Sequence, residues 1–182
     1  LNADYSMVSV SGYGIISGFT NDGNKIPQQT IPKYYDKLGF SYNKFADSIT
    51  VSETEWDFER YKPDIIVINL GTNDMSYATT DERKAEFEDG YLDFLKKVRS
   101  LNPDSYIFQT YGVMGTSLEE NIENVRRKYM SETGDERITF IPLTMQDEYA
   151  DGIVADWHPS PKTHSLVSQK VTAAIKETLG YK

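Results

Sequence analysis

Three short blocks hold the residues with chemistry to offer. Asp156-Trp157-His158-Pro159-Ser160 contains one of only two histidines in the chain. His158 follows a loop and precedes a proline, so its ring can project from the backbone into a site. An imidazole near pKa 6.5 takes a proton from a hydroxyl and returns it to a leaving group. Gly71-Thr72-Asn73-Asp74 follows the apolar run Asp64–Leu70. Its small glycine lets the chain turn off the run, and the Asn73 amide then offers an NH2 donor that suits an oxyanion developing during acyl transfer. On the tetrapeptide alone, capping of a loop is an equal reading of Asn73 and Asp74. Ser11-Gly12-Tyr13-Gly14 is the third block. A glycine there allows a backbone N–H to approach a ligand closely, although many ordinary turns share the pattern. His164 reads as a solvated or capping residue of a final helix.

The elements that must position these blocks alternate between short β-rich runs and longer helical periods. Strands are expected at Tyr5–Ser9, Asp64–Leu70, Tyr106–Thr110 and Ile138–Ile141. The second, DIIVINL, is nearly all apolar and β-branched, as in a strand buried on both faces of a parallel sheet. Helices are expected over Glu82–Leu101, Leu118–Thr133 and Thr163–Leu179. Phe87, Tyr91, Phe94, Leu95 and Val98 form the inward stripe of the first. Leu118, Ile122, Val125 and Tyr129 form that of the second, and Val167, Val171, Ala174 and Ile175 that of the third. Thr79 with Glu82, and Ser117 with Glu120, offer capping boxes, and Gly134 offers a C-terminal stop. The stretch Asn21–Ser52 reads as an irregular excursion with one short helix near Pro32–Leu38. Strands alternating with helices imply one α/β domain with a parallel sheet covered on both faces. All three chemical blocks then lie at strand ends, where such sheets bind ligands.

Composition narrows the chemistry. With 182 residues the chain is long enough for one domain with a substantial core. It has no cysteine, which removes disulfides, thiolate metal sites and cysteine nucleophiles. A formal net charge of −9 disfavours nucleic acid, and no apolar run is long enough to span a bilayer. Neutral or weakly polar substrates fit better. The 13 tyrosines, 8 phenylalanines and 2 tryptophans could stack on sugar rings, though most large rings fill cores.

Taken in order, SGYG, GTND after a strand, and DWHPS before the last helix resemble the SGNH (GDSL-like) hydrolases. More narrowly they resemble carbohydrate esterase family two, which removes acetyl groups from plant polysaccharides. The resemblance covers essentially the whole chain. It implies a flavodoxin-like three-layer α/β sandwich and a serine esterase without metal or cofactor. The substrate would be an acetylated polysaccharide or oligosaccharide, with no nucleic-acid or membrane partner, in an extracellular setting. It also implies that Gly12 and Asn73 form the oxyanion hole, that His158 is the base, and that Trp157 lines the substrate cleft. A lipase, lysophospholipase or thioesterase of the same superfamily is the competing enzyme reading, and a non-catalytic carbohydrate-binding domain the competing non-enzyme one.

Two departures from the family pattern stand out. The triad aspartate commonly lies three residues before the histidine, where this chain has Ala155. Asp156, two residues before, is the nearby carboxylate, and a backbone carbonyl is the alternative partner for the imidazole. The Gly-Asp-Ser nucleophile block should precede SGYG, yet only Leu1–Val10 does so. Ala46-Asp47-Ser48 mimics it in the wrong place, without the glycine or the preceding strand. The serine is therefore expected upstream of Leu1, on a strand lying between Tyr5–Ser9 and Asp64–Leu70 in a sheet of order 2-1-3-4-5. Residues 1–182 then count as a single SGNH hydrolase domain, N-terminally incomplete. They would be inactive without that serine, and would need the missing segment or another chain to complete the sheet and fold stably.

Overall fold

The computed structural model describes residues 3–40, 44–45 and 48–181. A small antiparallel ribbon comes first, made of β1 (Lys44–Phe45) and β2 (Ile49–Thr50). The main sheet follows: β3 (Ile65–Asn69), β4 (Tyr106–Tyr111) and β5 (Ile138–Pro142), parallel and in that spatial order. Ile65 lies opposite Tyr106, and Ile107 opposite Ile138. The crossovers are α1 (Asp81–Leu101) and α2 (Glu119–Thr133), and α3 (Pro161–Leu179) closes the chain.

Side-chain alternation along β4 explains the layers. Ile107 and Tyr111 join the cluster formed with Phe87, Tyr91, Leu95 and Val98 of α1 and with Ile122, Val125 and Tyr129 of α2. Phe108 points the other way, into a second cluster with Ile141, Leu143 and Ile175, against which Val167, Val171 and Ala174 of α3 pack. The chain is thus a mixed α/β unit, with α1 and α2 on one face of a parallel sheet and α3 on the other. The three inward stripes expected from helical spacing are the ones that face the core. Strand ends agree with expectation to within a residue.

Several local expectations fail for identifiable reasons. No strand forms at Tyr5–Ser9. Tyr5, Met7 and Val8 are exposed and no described segment pairs with them; an extended segment without a neighbour has little stability of its own. The first helix starts at Asp81, and its cap is Thr80, whose hydroxyl accepts from the Arg83 N–H, so Thr79 is one residue too early. Ser117 does not cap α2. Leu118 is drawn fully into the core and takes the cap position without a side-chain bond. Gly134 does end α2, in the left-handed conformation. Residues 32–36 form successive turns rather than a helix, and Lys37 then bridges Glu55. Ser48 lies in the turn between β1 and β2, and Ala46 and Asp47 fall outside the described residues.

β3 is the edge strand of the main sheet among the described residues, and Val67 at its centre is 47% exposed. No described helix is long and apolar enough to cross a membrane.

Candidate active site

The loops that leave the carboxyl ends of β3, β4 and β5 carry or hold the chemical blocks. After β3 the chain turns at Gly71, and a single 3-10 turn forms over Asp74–Ser76 with Asn73 at its start. The Asn73 side chain does not cap that turn. Its amide instead donates to the Tyr13 carbonyl at 2.7 Å. A carboxamide has two N–H donors, so one remains for another acceptor.

Tyr13 belongs to the Ser11–Gly14 turn. Gly12 sits at φ +79°, where a side chain would strain the backbone, and open space surrounds the position of its missing Cβ. Its carbonyl accepts from the Phe19 N–H at 2.8 Å, while its own N–H meets no acceptor among the described residues. The Tyr13 ring packs edge-on against Tyr34 and Phe40, which anchors the turn in the fold. Gly14 pairs with Thr30. Its Cα lies so close to the Asp74 carboxylate and the Ser17 carbonyl that a methyl group would overlap both.

Asp74 binds the two loops together. It is completely buried, and its carboxylate accepts from the N–H groups of Ile15 (2.9 and 3.0 Å), Ile16 (2.8 Å) and Ser17 (3.1 Å). Burial pushes its pKa up, and the three N–H donors work against that rise.

The histidine block is closed on itself. Ile153 bridges Pro159, and the Val154 N–H donates to the His158 carbonyl at 2.9 Å. Ser160 caps α3 through the Thr163 N–H, with Pro161 at the first helical position, and its hydroxyl donates to the Asp151 carbonyl at 2.6 Å. His158 therefore projects from a tight loop fastened to a rigid helix start. Its ring is exposed, and Nδ1 lies 3.1 Å from the Ala155 carbonyl. That contact selects the tautomer with hydrogen on Nδ1 and leaves the Nε2 lone pair available to accept a proton. Asp156 makes no hydrogen bond to the ring among the described residues. Trp157 is 65% exposed beside the histidine. His164 is exposed in the first turn of α3.

Two features of this loop have no counterpart in the sequence reasoning. Asp156 (φ +54°), Trp157 (φ +60°) and Val113 (φ +67°) are the non-glycine residues with positive φ among those described. Such conformations are costly and persist where the surroundings enforce them. Gln146 joins them: its N–H donates to the Val113 carbonyl at 2.8 Å, and its side-chain amide donates to the Trp157 carbonyl at 2.7 Å. The end of β4 is thereby tied to the histidine loop. A glutamine in a polar loop carries no periodicity or motif that would have flagged it.

The structure thus joins the SGYG and GTND blocks directly and carries His158 on the same end of the sheet. It brings no described serine into hydrogen-bonding contact with His158, since Ser160 is buried and engaged in capping. No group of three His, Asp or Glu side chains placed to hold a metal occurs among the described residues. A shallow depression lined by Lys96, Arg99, Asp135 and Arg137 lies at the opposite end of the sheet, where Asp135 pairs with both arginines.

The sequence model of the GDSL-like Lipase/Acylhydrolase family matches residues 10–166. The chain belongs to that family. Among its relatives, the cellulase/esterase CelE of Acetivibrio thermocellus is 33% identical, over all of this chain and 21% of its own length. The acetyl xylan esterase Est2A of Butyrivibrio proteoclasticus superposes with a TM-score of 0.88 at 24% identity, over all of this chain and 53% of that one. A family two carbohydrate esterase from Clostridium thermocellum, solved in complex with cellohexaose, has a TM-score of 0.73 at 30% identity, covering 94% of this chain and 49% of that one. The chain therefore spans about a fifth to a half of the length of these family members.

Proposed function

We propose that the intact protein is a serine esterase that removes O-acetyl groups from carbohydrates through an acyl-enzyme. The observation that carries this reading is the bond from Asn73 to Tyr13. It fastens a side-chain N–H donor to the turn that carries Gly12, whose N–H meets no acceptor among the described residues, at the sheet end that also carries His158. Relatives that are carbohydrate esterases, one of them solved with cellohexaose, support the substrate class and an extracellular setting.

In the proposed reaction the serine oxygen attacks the acetyl carbonyl while His158 Nε2 takes its proton. Negative charge on the former carbonyl oxygen is met by the Gly12 N–H and the Asn73 amide. The tetrahedral species collapses, the sugar oxygen leaves with the proton from His158, and water repeats the sequence to release acetate. The Ala155 carbonyl, rather than Asp156, orients the ring, so His158 and the serine act as a dyad. Trp157 offers its exposed face to a sugar ring. The serine lies on a segment preceding Leu1. In a flavodoxin-like sheet that segment pairs with β3, for which the edge position of β3 and the exposed Val67 are the supporting observations.

Acetate release by the full-length protein tests the reading. Acetylated xylan or glucomannan oligosaccharides should be deacetylated, and synthetic esters should lose rate as the acyl chain lengthens. Preference for long acyl chains would favour a lipase instead. The exposure of Trp157 favours a second reading, sugar binding without turnover, and oligosaccharide binding with no acetate release would select it.

A further inference from the structure

Asp74 has no part in the proton transfers just described, yet it is among the most completely buried charged groups of the fold. Its oxygens collect the N–H groups of three consecutive residues, Ile15, Ile16 and Ser17. Successive N–H groups converging in this way form a concavity suited to an anion. Here a carboxylate from 57 to 59 residues further along the chain fills it. No described cation pairs with Asp74, so these N–H donors are its compensation for burial.

The adjacent residue grips the same turn from its other side. Asn73 holds the Tyr13 carbonyl, and Asp74 holds the N–H groups that begin two residues later. Gly14 lies between the two grips, with no room for a methyl group between its Cα and the Asp74 carboxylate. The Ser11–Gly14 turn is therefore clamped on its C-terminal side by two neighbouring residues of one loop, at the Tyr13 carbonyl and at the N–H groups that follow Gly14. We propose that Asp74 is a positioning residue of the oxyanion site: its carboxylate holds the turn at the separation from Asn73 at which the Gly12 N–H and the Asn73 amide reach a single oxygen. The inference rests on the oxyanion reading of Gly12 and Asn73. It matters for rate because two donors stabilise an oxyanion only when both lie about 2.7–3.1 Å from it, and a misplacement of about 1 Å can cost about 10²-fold.

The test is a double-mutant cycle in the full-length protein on a small acetyl ester, with thermal melting run alongside. Asp74→Asn keeps the shape and replaces one acceptor oxygen by a donor. It should lower kcat by about tenfold or more while KM moves by less than about threefold, the pattern of an interaction made in the transition state. In an Asn73→Ala background the same substitution should cost at least about threefold less, because the donor it aligns is gone. A variant with normal kcat, an effect confined to KM, or equal losses in both backgrounds would overturn the positioning role. Should Asp74→Asn fail to fold, Gly14→Ala reads the same clamp from the other side and must give the same kcat-specific, Asn73-dependent loss. Wild-type protein that hydrolyses no ester overturns the oxyanion reading and the positioning role together. An active wild type with an unaffected Asp74→Asn overturns the positioning role alone.

Discussion

The side-chain nitrogen of Asn73 donates to the carbonyl oxygen of Tyr13 across 2.7 Å and 60 positions of sequence. One N–H of the amide is spent on the turn, and the other is aimed by that bond. Asn73→Ala should therefore remove an oxyanion donor, a loss worth about 10²–10³ in kcat with little change in KM. Steady-state kinetics on an acetyl ester decide. A pure KM effect would mean that Asn73 only binds the ground state.

His158 and Asp156 should separate in their effects. His158→Ala should lower turnover by about four to six orders of magnitude with the fold intact, since nucleophile and base act as a unit. Asp156→Ala should cost far less, because Nδ1 faces the Ala155 carbonyl. Equal losses, with both variants folded by circular dichroism, would restore Asp156 as a triad member.

Gln146 should matter more than a loop residue normally does. Its amide holds the Trp157 carbonyl in a left-handed stretch. One such hydrogen bond is worth about 0.5–1.5 kcal/mol net, which corresponds to about a two- to tenfold loss of kcat in Gln146→Ala if the histidine loop loosens by that amount. Unchanged kinetics would show that the loop holds its shape without the amide.

The turn after the Gly12 loop should resist acid. The Asn24 N–H, the Thr20 hydroxyl and the Asn24 side chain hold Asp22 down from 3.8 to about 2. A depressed carboxylate contributes stability above its unfolded pKa, and that contribution is lost as the pH falls through the folded value. The Asp22 carboxyl resonance should titrate near pH 2 by NMR. A midpoint near 4 would mean that the turn does not hold the carboxylate.

Much of this was readable from residue patterns, and the remainder has physical reasons for being hidden. The stripes at Phe87–Val98 and Ile122–Tyr129 report burial directly because spacing sets which side chains face inward. The apolar β-branched run before Gly71 marks a strand but overstates its burial, since β3 is the edge strand among the described residues and Val67 is 47% exposed. Glycine after a strand and a lone histidine before a capped helix mark loops that can carry chemistry. The apolar residues at Tyr5–Ser9 misled, since a strand exists only where a neighbour accepts its ladder. Leu118 displaced the expected cap because core burial outweighed the Ser117 hydroxyl. The role of Asp74 depends on contacts made across 57 to 59 positions, and that of Gln146 on contacts across 33 and 11, between residues that no local period relates.

The most direct measurement of the central claim is covalent labelling of the full-length protein with a fluorophosphonate, followed by peptide mapping. The account predicts stoichiometric label on one serine in the segment preceding Leu1, none on Ser48, and loss of labelling in His158→Ala. Label on Ser48, or labelling that survives His158→Ala at the wild-type rate, would contradict it.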